Sequence, residues 1–213
     1  MIRLPKKSFE KLSEEKKSTI INAALAEFGS HSYHDSSLNN IVKITKIPKG
    51  SIYQYFEDKL DLYKYILMLA TNEKICFFTK EAEISKELSI FELVKMLFRK
   101  GIQFASMHPQ FAAVGNQFAK ETNEKLKKEI LQGANESGES FFTGLVEAAK
   151  LKGDIDNKLN TKACVQMFMT LNQAVLDEML KNFEIETIGL HEEEMYEWVD
   201  QLLDILINGM KSN

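Results

Sequence analysis

SLNNIVKITKIPKGSIYQYFEDK, Ser37 to Lys59, carries two short apolar-periodic segments, Leu38/Ile41/Val42 and Ile47/Ile52/Phe56, joined by KIPKG. One continuous helix does not tolerate that junction, because proline lacks a backbone N–H and fixes φ; it suits the first turn of a new helix instead. The reading is helix, turn, helix. In the second of these helices Ile52 and Phe56, four apart, face inward and Lys49, Gly50, Ser51, Tyr53, Gln54 and Tyr55 face outward. That outer face has no acid before Glu57. It is either a solvated surface or one suited to the DNA major groove, where amides, hydroxyls and cations meet phosphates and base edges.

Outward from this stretch, Ser13 caps a preceding helix, with Glu14 and Glu15 in its first turn and a stripe of Ile20, Ala24 and Phe28 widened by Ile21 and Leu25. Gly29 ends it. His31 and His34 stand in the connection HSYHDSS, where no cysteine or carboxylate cluster completes a metal set, so the pair reads as surface loop and no metal site is expected. Ser36 or Ser37 caps the next helix and could meet a phosphate there. Residues 1–12, with Pro5, Lys6, Lys7 and Lys11, read as a loose basic arm that is either a frayed tail or a phosphate-touching one.

The composition, 44% hydrophobic with 3 Pro and 10 Gly in 213 residues, predicts an all-α chain with a proper core. No apolar run approaches the roughly 20 residues that span a bilayer and no secretory signal is evident, so a cytoplasmic protein is expected. The two cysteines, Cys76 and Cys164, read as buried reduced thiols. The net charge of −4 conceals an asymmetry: residues 1–65 hold 11 Lys and Arg against 8 Asp and Glu, a balance of +3, and the remainder 16 against 23, or −7. A basic head on an acidic body fits phosphate contact at one end. No glycine-rich phosphate loop, G-x-S-x-G, H-E-x-x-H or CxxC pair supports an enzyme.

IINAALAEFGSHSYHDSSLNNIVKITKIPKGSIYQYFEDKLDLYKYI resembles the N-terminal domain of the TetR family of bacterial transcriptional repressors. The resemblance rests on the Ala-rich helix ending in Phe28-Gly29, Tyr33 in the loop, the Ser-Leu-x-x-Ile entry and Lys49-Gly50-Ser51-Ile52-Tyr53. Tyr55-Phe56-x-x-Lys59-x-x-Leu62 completes it. It covers residues 13–65. It implies a three-helix DNA-binding domain with the helix-turn-helix at 1–60 and a larger helical ligand-binding and dimerisation domain at 61–213. It further implies a homodimer on a double-stranded DNA operator, released by a small-molecule inducer or responding to a corepressor, with no cofactor. The positions matching DNA-approaching ones are Ser37, Asn39, Lys49, Gly50, Ser51, Tyr53, Gln54, Tyr55 and Lys59. Ser37, Tyr53 and Lys59 are then expected on phosphates, and Lys49, Gln54 and Tyr55 on bases. Gly50 lets the backbone come close. Relatives often have glycine where this chain has Lys46, and a lysine resists positive φ, so a different turn geometry is expected.

In the body, helices are expected from Lys59 to about Lys80, from Ser89 to His108, from Pro109 to Phe118 and from Glu121 to Leu151, then a turn at Lys152-Gly153-Asp154. The last two, from Thr161 to Phe183 and from His191 to Met210, have broad apolar faces that must be covered on more than one side. They are either an ordinary core pair or, as the resemblance implies, a four-helix dimer bundle; Phe168, Leu171, Val175, Met179, Trp198, Val199, Leu202 and Leu206 are the interface candidates. With 14 Phe and 9 Met, the body holds either an adaptable apolar ligand site or an ordinary aromatic core, which is the commoner meaning of an aromatic stripe at helical spacing. Candidates for the site are Phe77, Phe104, Met107, Phe111, Phe118, Phe142 and Met167, with His108, Asn116, Gln117 and Gln173 as polar tips. An apolar or amphipathic molecule is preferred. The alternative is a helical adaptor of the same fold whose body binds a protein.

Overall fold

The computed structural model describes residues 5–85, 87–182 and 192–208, with side chains for all of these except 49, 131–137, 176–177, 179–182 and 192. Among them the chain forms helices α1 (Lys7–Glu10), α2 (Glu14–Ser30), α3 (Leu38–Thr45), α4 (Lys49–Tyr55) and α5 (Lys59–Ile84). α6 (Ile90–Met107), α7 (Pro109–Ala119), α8 (Glu124–Lys152), α9 (Thr161–Asn182) and α10 (Glu192–Asn208) follow. The described residues include no strand. Two compact units result, Met1–Asn72 with His108–Ala134, and Glu73–Met107 with Asn135–Asn213.

In the first unit, the α2 stripe buries Ile20, Ala24, Leu25 and Phe28 against Ile41 of α3, Ile52 and Phe56 around α4, and Leu62, Tyr63 and Ile66 of α5. Ile52 and Phe56 are fully buried, as the four-residue spacing predicts. α7 lies against α2, and they approach closest at Gly29, where an added Cβ would stand 3.0 Å from the Ala113 Cβ. Glycine is therefore held there by helix contact as well as by its place at the helix end.

From Pro5 onward the N-terminal arm is not loose. Residues 7–10 form α1, which buries Phe9 in an aromatic cluster with Phe56 (5.0 Å), Tyr65 (5.5 Å) and Tyr55 (6.0 Å). Its polar groups meet the carbonyls that the end of α4 leaves unpaired, as every helix end must. The Lys6 backbone N donates to Tyr55 O (2.9 Å), Lys6 Nζ to Tyr53 O (2.9 Å) and Ser8 Oγ to Gln54 O. Lys6 Nζ also lies 3.5 Å from Glu57. The arm caps the end of α4, and the signal for it was the apolar pair Phe9 and Leu12, both packed on the core.

In the second unit, Ile90 and Val94 of α6, Val146 and Ala149 of α8, Val165, Phe168, Leu171 and Val175 of α9, and Val199 and Leu203 of α10 form the core. Ser89 and Glu92 make a reciprocal capping box at the start of α6, with Ser89 N to Glu92 Oε2 at 2.9 Å and Glu92 N to Ser89 Oγ at 3.3 Å. These bonds hold the Glu92 carboxyl below its ordinary range. Asp200 of α10 meets Lys95 (2.5 Å) and Arg99 (3.7 Å) of α6. The expected turn at Gly153 is present, with φ 86° and the Asp154 N donating to Ala149 O (2.9 Å). α8 starts at Glu124 rather than Glu121 because Asn123 caps it, its Oδ1 accepting from Leu126 N (3.1 Å). The far ends expected for the last two helices, Phe183, His191 and Met210, lie outside the described residues.

Candidate nucleic-acid interface

The turn between α3 and α4 resolves the question posed by Lys46. Lys46 adopts the left-handed conformation, φ 55° and ψ 21°, so the lysine does not exclude positive φ as its side chain leads one to expect. A side chain there costs about 1–2 kcal/mol, which the packing of Ile41, Ile52 and Phe56 on either side sustains. Pro48 follows with φ −58° and accepts from Ser51 N (2.8 Å), starting α4.

Ser37, rather than Ser36, caps α3: its Oγ accepts from Asn39 N (3.2 Å), while Ser36 Oγ donates to Tyr33 O (2.8 Å). The Ser37 hydroxyl retains its own proton for an outside acceptor. A residue that pattern reading missed holds this end of α3. Glu27, buried in α2 at 5% exposure, accepts through Oε1 from Ser37 N (2.7 Å) and Asn40 Nδ2 (3.1 Å). A carboxylate at a helix N-terminus is favoured by the dipole as well. The clue was an acid standing within the apolar stripe of α2, three residues after Ala24.

Asn39, Gly50, Tyr53 and Gln54 are exposed, Ser51 is half-buried, and nothing stands within 4 Å of a Cβ built on Gly50. Lys43 and Lys46 are exposed beside them and extend the polar face that spacing alone had drawn. The Lys49 side chain lies outside the described residues. Two expectations are corrected. Tyr55 is half-buried, its ring edge-on to Phe9, so it packs on the core instead of facing outward to read bases. Lys59 is expected on a phosphate, yet its ammonium donates to Tyr33 O (2.6 Å), Ser36 O (2.8 Å) and His34 O (3.3 Å) and lies 4.5 Å from the Tyr33 ring centroid. Burial lowers its pKa, with Asp35 and Glu27 opposing. All three donors are engaged inside the unit, and Lys59 fixes the α2–α3 loop to α5.

The ligand candidates are divided between the units. In the first, Phe111 and Phe118 pack on the core, His108 lies 6.0 Å from Phe111, Gln117 is half-buried, and Asn116 has a buried Oδ1 without a hydrogen-bond partner. In the second, Phe77 meets Phe104 (5.5 Å), and Phe142 stacks on Phe168 (6.2 Å). Met107, Met167 and Gln173 are exposed. Of the interface candidates, Phe168, Leu171, Val175 and Val199 are buried in the core of their own unit, because α9 and α10 turn those stripes toward α6 and α8. Trp198, Leu202 and Leu206 are only partly buried, and the Met179 side chain lies outside those described. Cys76 is exposed rather than buried, Cys164 is half-buried, and both thiols are free. Among the described residues no His, Cys, Asp or Glu cluster is placed to hold a metal, and no helix is long and apolar enough to cross a membrane.

The family model for bacterial regulatory proteins of the tetR family matches residues 20–66, and that for the tetracyclin repressor-like C-terminal domain matches 88–211. The fatty acid metabolism regulator protein of Bacillus subtilis (strain 168) is 23% identical over 196 residues, covering 90% of this chain and 93% of its own. A TetR family transcriptional regulator from Chloroflexus aurantiacus J-10-FL is 25% identical with a TM-score of 0.62, over 99% of this chain and 100% of its own. The transcriptional regulator FadR from Bacillus subtilis, in complex with stearoyl-CoA, shares the fold with a TM-score of 0.69 at 19% identity, over 91% and 99%. With its helix-turn-helix inside one matched segment and its helical body inside the other, the chain belongs to the tetR family and is a DNA-binding transcriptional regulator.

Proposed function

We propose that the protein is a dimeric repressor that leaves its operator when a long-chain fatty acyl molecule binds its body. The observation that carries the ligand class is the likeness over 90% of the chain to a regulator of fatty acid metabolism. The aromatic side chains of the second unit, Phe77, Phe78, Phe104, Phe141 and Phe142, supply the apolar contact area such a chain needs. On the DNA side, Gln54 is assigned to base edges, and Tyr53, Ser37 and Asn39 to phosphates, with the exposed Lys43 and Lys46 adding charge. Gly50 and Ser51 allow close approach, and Lys49 retains its assignment to guanine.

In the dimer the two copies of α4 lie about 34–36 Å apart on the operator, and ligand stabilises a body conformation that breaks this spacing. Trp198, Leu202 and Leu206, with the exposed Met167, Ile205 and Ile207, are the side chains left to face a partner once the core members are removed. The protein works in the cytoplasm, where its operator is, and has no catalytic step. Fluorescence anisotropy with the DNA upstream of its own gene tests the reading. Binding should weaken steeply with salt and be lost on adding stearoyl-CoA at micromolar concentration. Absence of binding even at low salt overturns the DNA assignment, and indifference to every acyl compound overturns the ligand class.

A further inference from the structure

The second unit contains a cation in an unusual setting. Lys74, on the inner stretch of α5, is half-buried and carries its Nζ 5.4 Å from the Phe78 ring centroid. Phe78 meets Phe77 at 6.2 Å and Phe141 at 6.2 Å, and Phe77 meets Phe104 at 5.5 Å. Only Phe104 of these rings is fully buried. A Cβ built on Gly101 of α6 would stand 3.5 Å from the tip of the Phe78 ring.

Three cations of α6 have carboxylate partners. Lys100 meets Glu81 (3.3 Å), and Lys95 and Arg99 share Asp200. Lys74 has none among the described residues, and burial alone lowers its pKa. Ring faces attract a cation but do not neutralise it. A cation partly withdrawn from water without a counterion is costly, and the cost falls when an anion arrives.

We propose that Lys74 anchors the anionic end of the regulator's ligand while the apolar chain of that ligand lies along Phe77, Phe78, Phe104 and Phe141. This rests on the acyl reading above and goes further, since it names the side chain that distinguishes an ionic amphiphile from a neutral lipid. The shared ligand chemistry is a long apolar chain ending in an anion, either the carboxylate of a free fatty acid or the phosphates of an acyl-CoA.

The test measures binding of stearate, stearoyl-CoA and methyl stearate to the full-length protein, its Lys74→Met variant and its Lys74→Arg variant, with circular dichroism verifying the fold of each. Loss of the charge pair should weaken at least one anionic ligand about tenfold or more in Lys74→Met. Methyl stearate should be unaffected, and Lys74→Arg should recover most of the affinity. Whichever of stearate and stearoyl-CoA is weakened identifies the anion. Equal affinity of wild type and Lys74→Met for both anions overturns the anchor while leaving the acyl reading intact, and so does an equal loss for the methyl ester. Failure of the wild type to bind any of the three overturns the acyl reading and the anchor together.

Discussion

Replacing Glu27 by alanine tests how the DNA-reading face is held in place. The carboxylate is 5% exposed and accepts from Ser37 N at 2.7 Å and from Asn40 Nδ2 at 3.1 Å, joining α2 to the first turn of α3. Removing it deprives the partly buried Ser37 N–H of a charged acceptor, a loss of about 1.5–3 kcal/mol. The dipole interaction adds about 0.3–1 kcal/mol. Asn40 is exposed and recovers water, so its share is small. The sum is about 2–4 kcal/mol, a large part of a typical folding free energy of about 5–15 kcal/mol. For a chain of this size that corresponds to a melting temperature lower by roughly 4–16 °C. Glu27→Gln keeps Oε1 as an acceptor and loses only the charge, so it should cost about 1 kcal/mol or less. Thermal melts of the three proteins, followed by circular dichroism, measure this, and operator affinity should fall in the same order. An alanine variant melting within about 1 °C of wild type, or a glutamine variant as damaged as alanine, would refute the reasoning.

Phe9→Ala should destabilise by about 3–4 kcal/mol, because it empties the cluster with Tyr55, Phe56 and Tyr65, and should weaken operator binding as the end of α4 frays; urea denaturation and anisotropy read the two effects. Lys46→Gly relieves the left-handed lysine and should raise stability by about 0.5–1 kcal/mol in urea denaturation, since the steric relief exceeds the added entropy of the unfolded chain. Lys74→Met should melt higher than wild type at any pH below the lowered native pKa of Lys74, where the unpaired ammonium is charged in both folded and unfolded states and its penalty is fully present. As pH rises through the lowered native pKa towards the ordinary 10.5, the native state releases its proton first. The unfolded state then binds more protons, wild-type stability from this group rises, and the melting difference should shrink. A difference that stays constant up to that pH refutes the assignment of the penalty to charge.

How much of this was legible in the sequence varies with the range of the interaction. The helix-turn-helix was readable because a proline and two four-residue apolar spacings are local facts, and local sterics decide helices and turns. The α2 stripe, the Ser37 cap and the Gly153 turn belong to the same class. Lys46 shows where local preference is overridden: its φ of 55° costs energy in isolation, and the contacts of the flanking helices impose it. The arm at Lys6–Glu10 was misread because its polar groups find partners 46 and 47 residues away, on the end of α4, a distance at which no periodicity speaks.

The same division separates the functional residues. Gly50, Tyr53 and Gln54 were placed on one outward face by their spacing, since a helix face is a consequence of pitch alone, while Asn39 and the expectation that this face meets DNA came from the resemblance. Only the folded chain decided that Tyr55 turns toward Phe9, that Lys59 spends its donors on Tyr33, His34 and Ser36, and that Glu27 secures α3. It likewise decided that Phe168, Leu171, Val175 and Val199 belong to their own unit's core. By itself the sequence determined the helices and their apolar stripes, and the resemblance supplied the expectation of which element reads DNA. Which charged or aromatic group is free to act was left to tertiary structure, because a side chain's availability depends on partners that are distant in the chain.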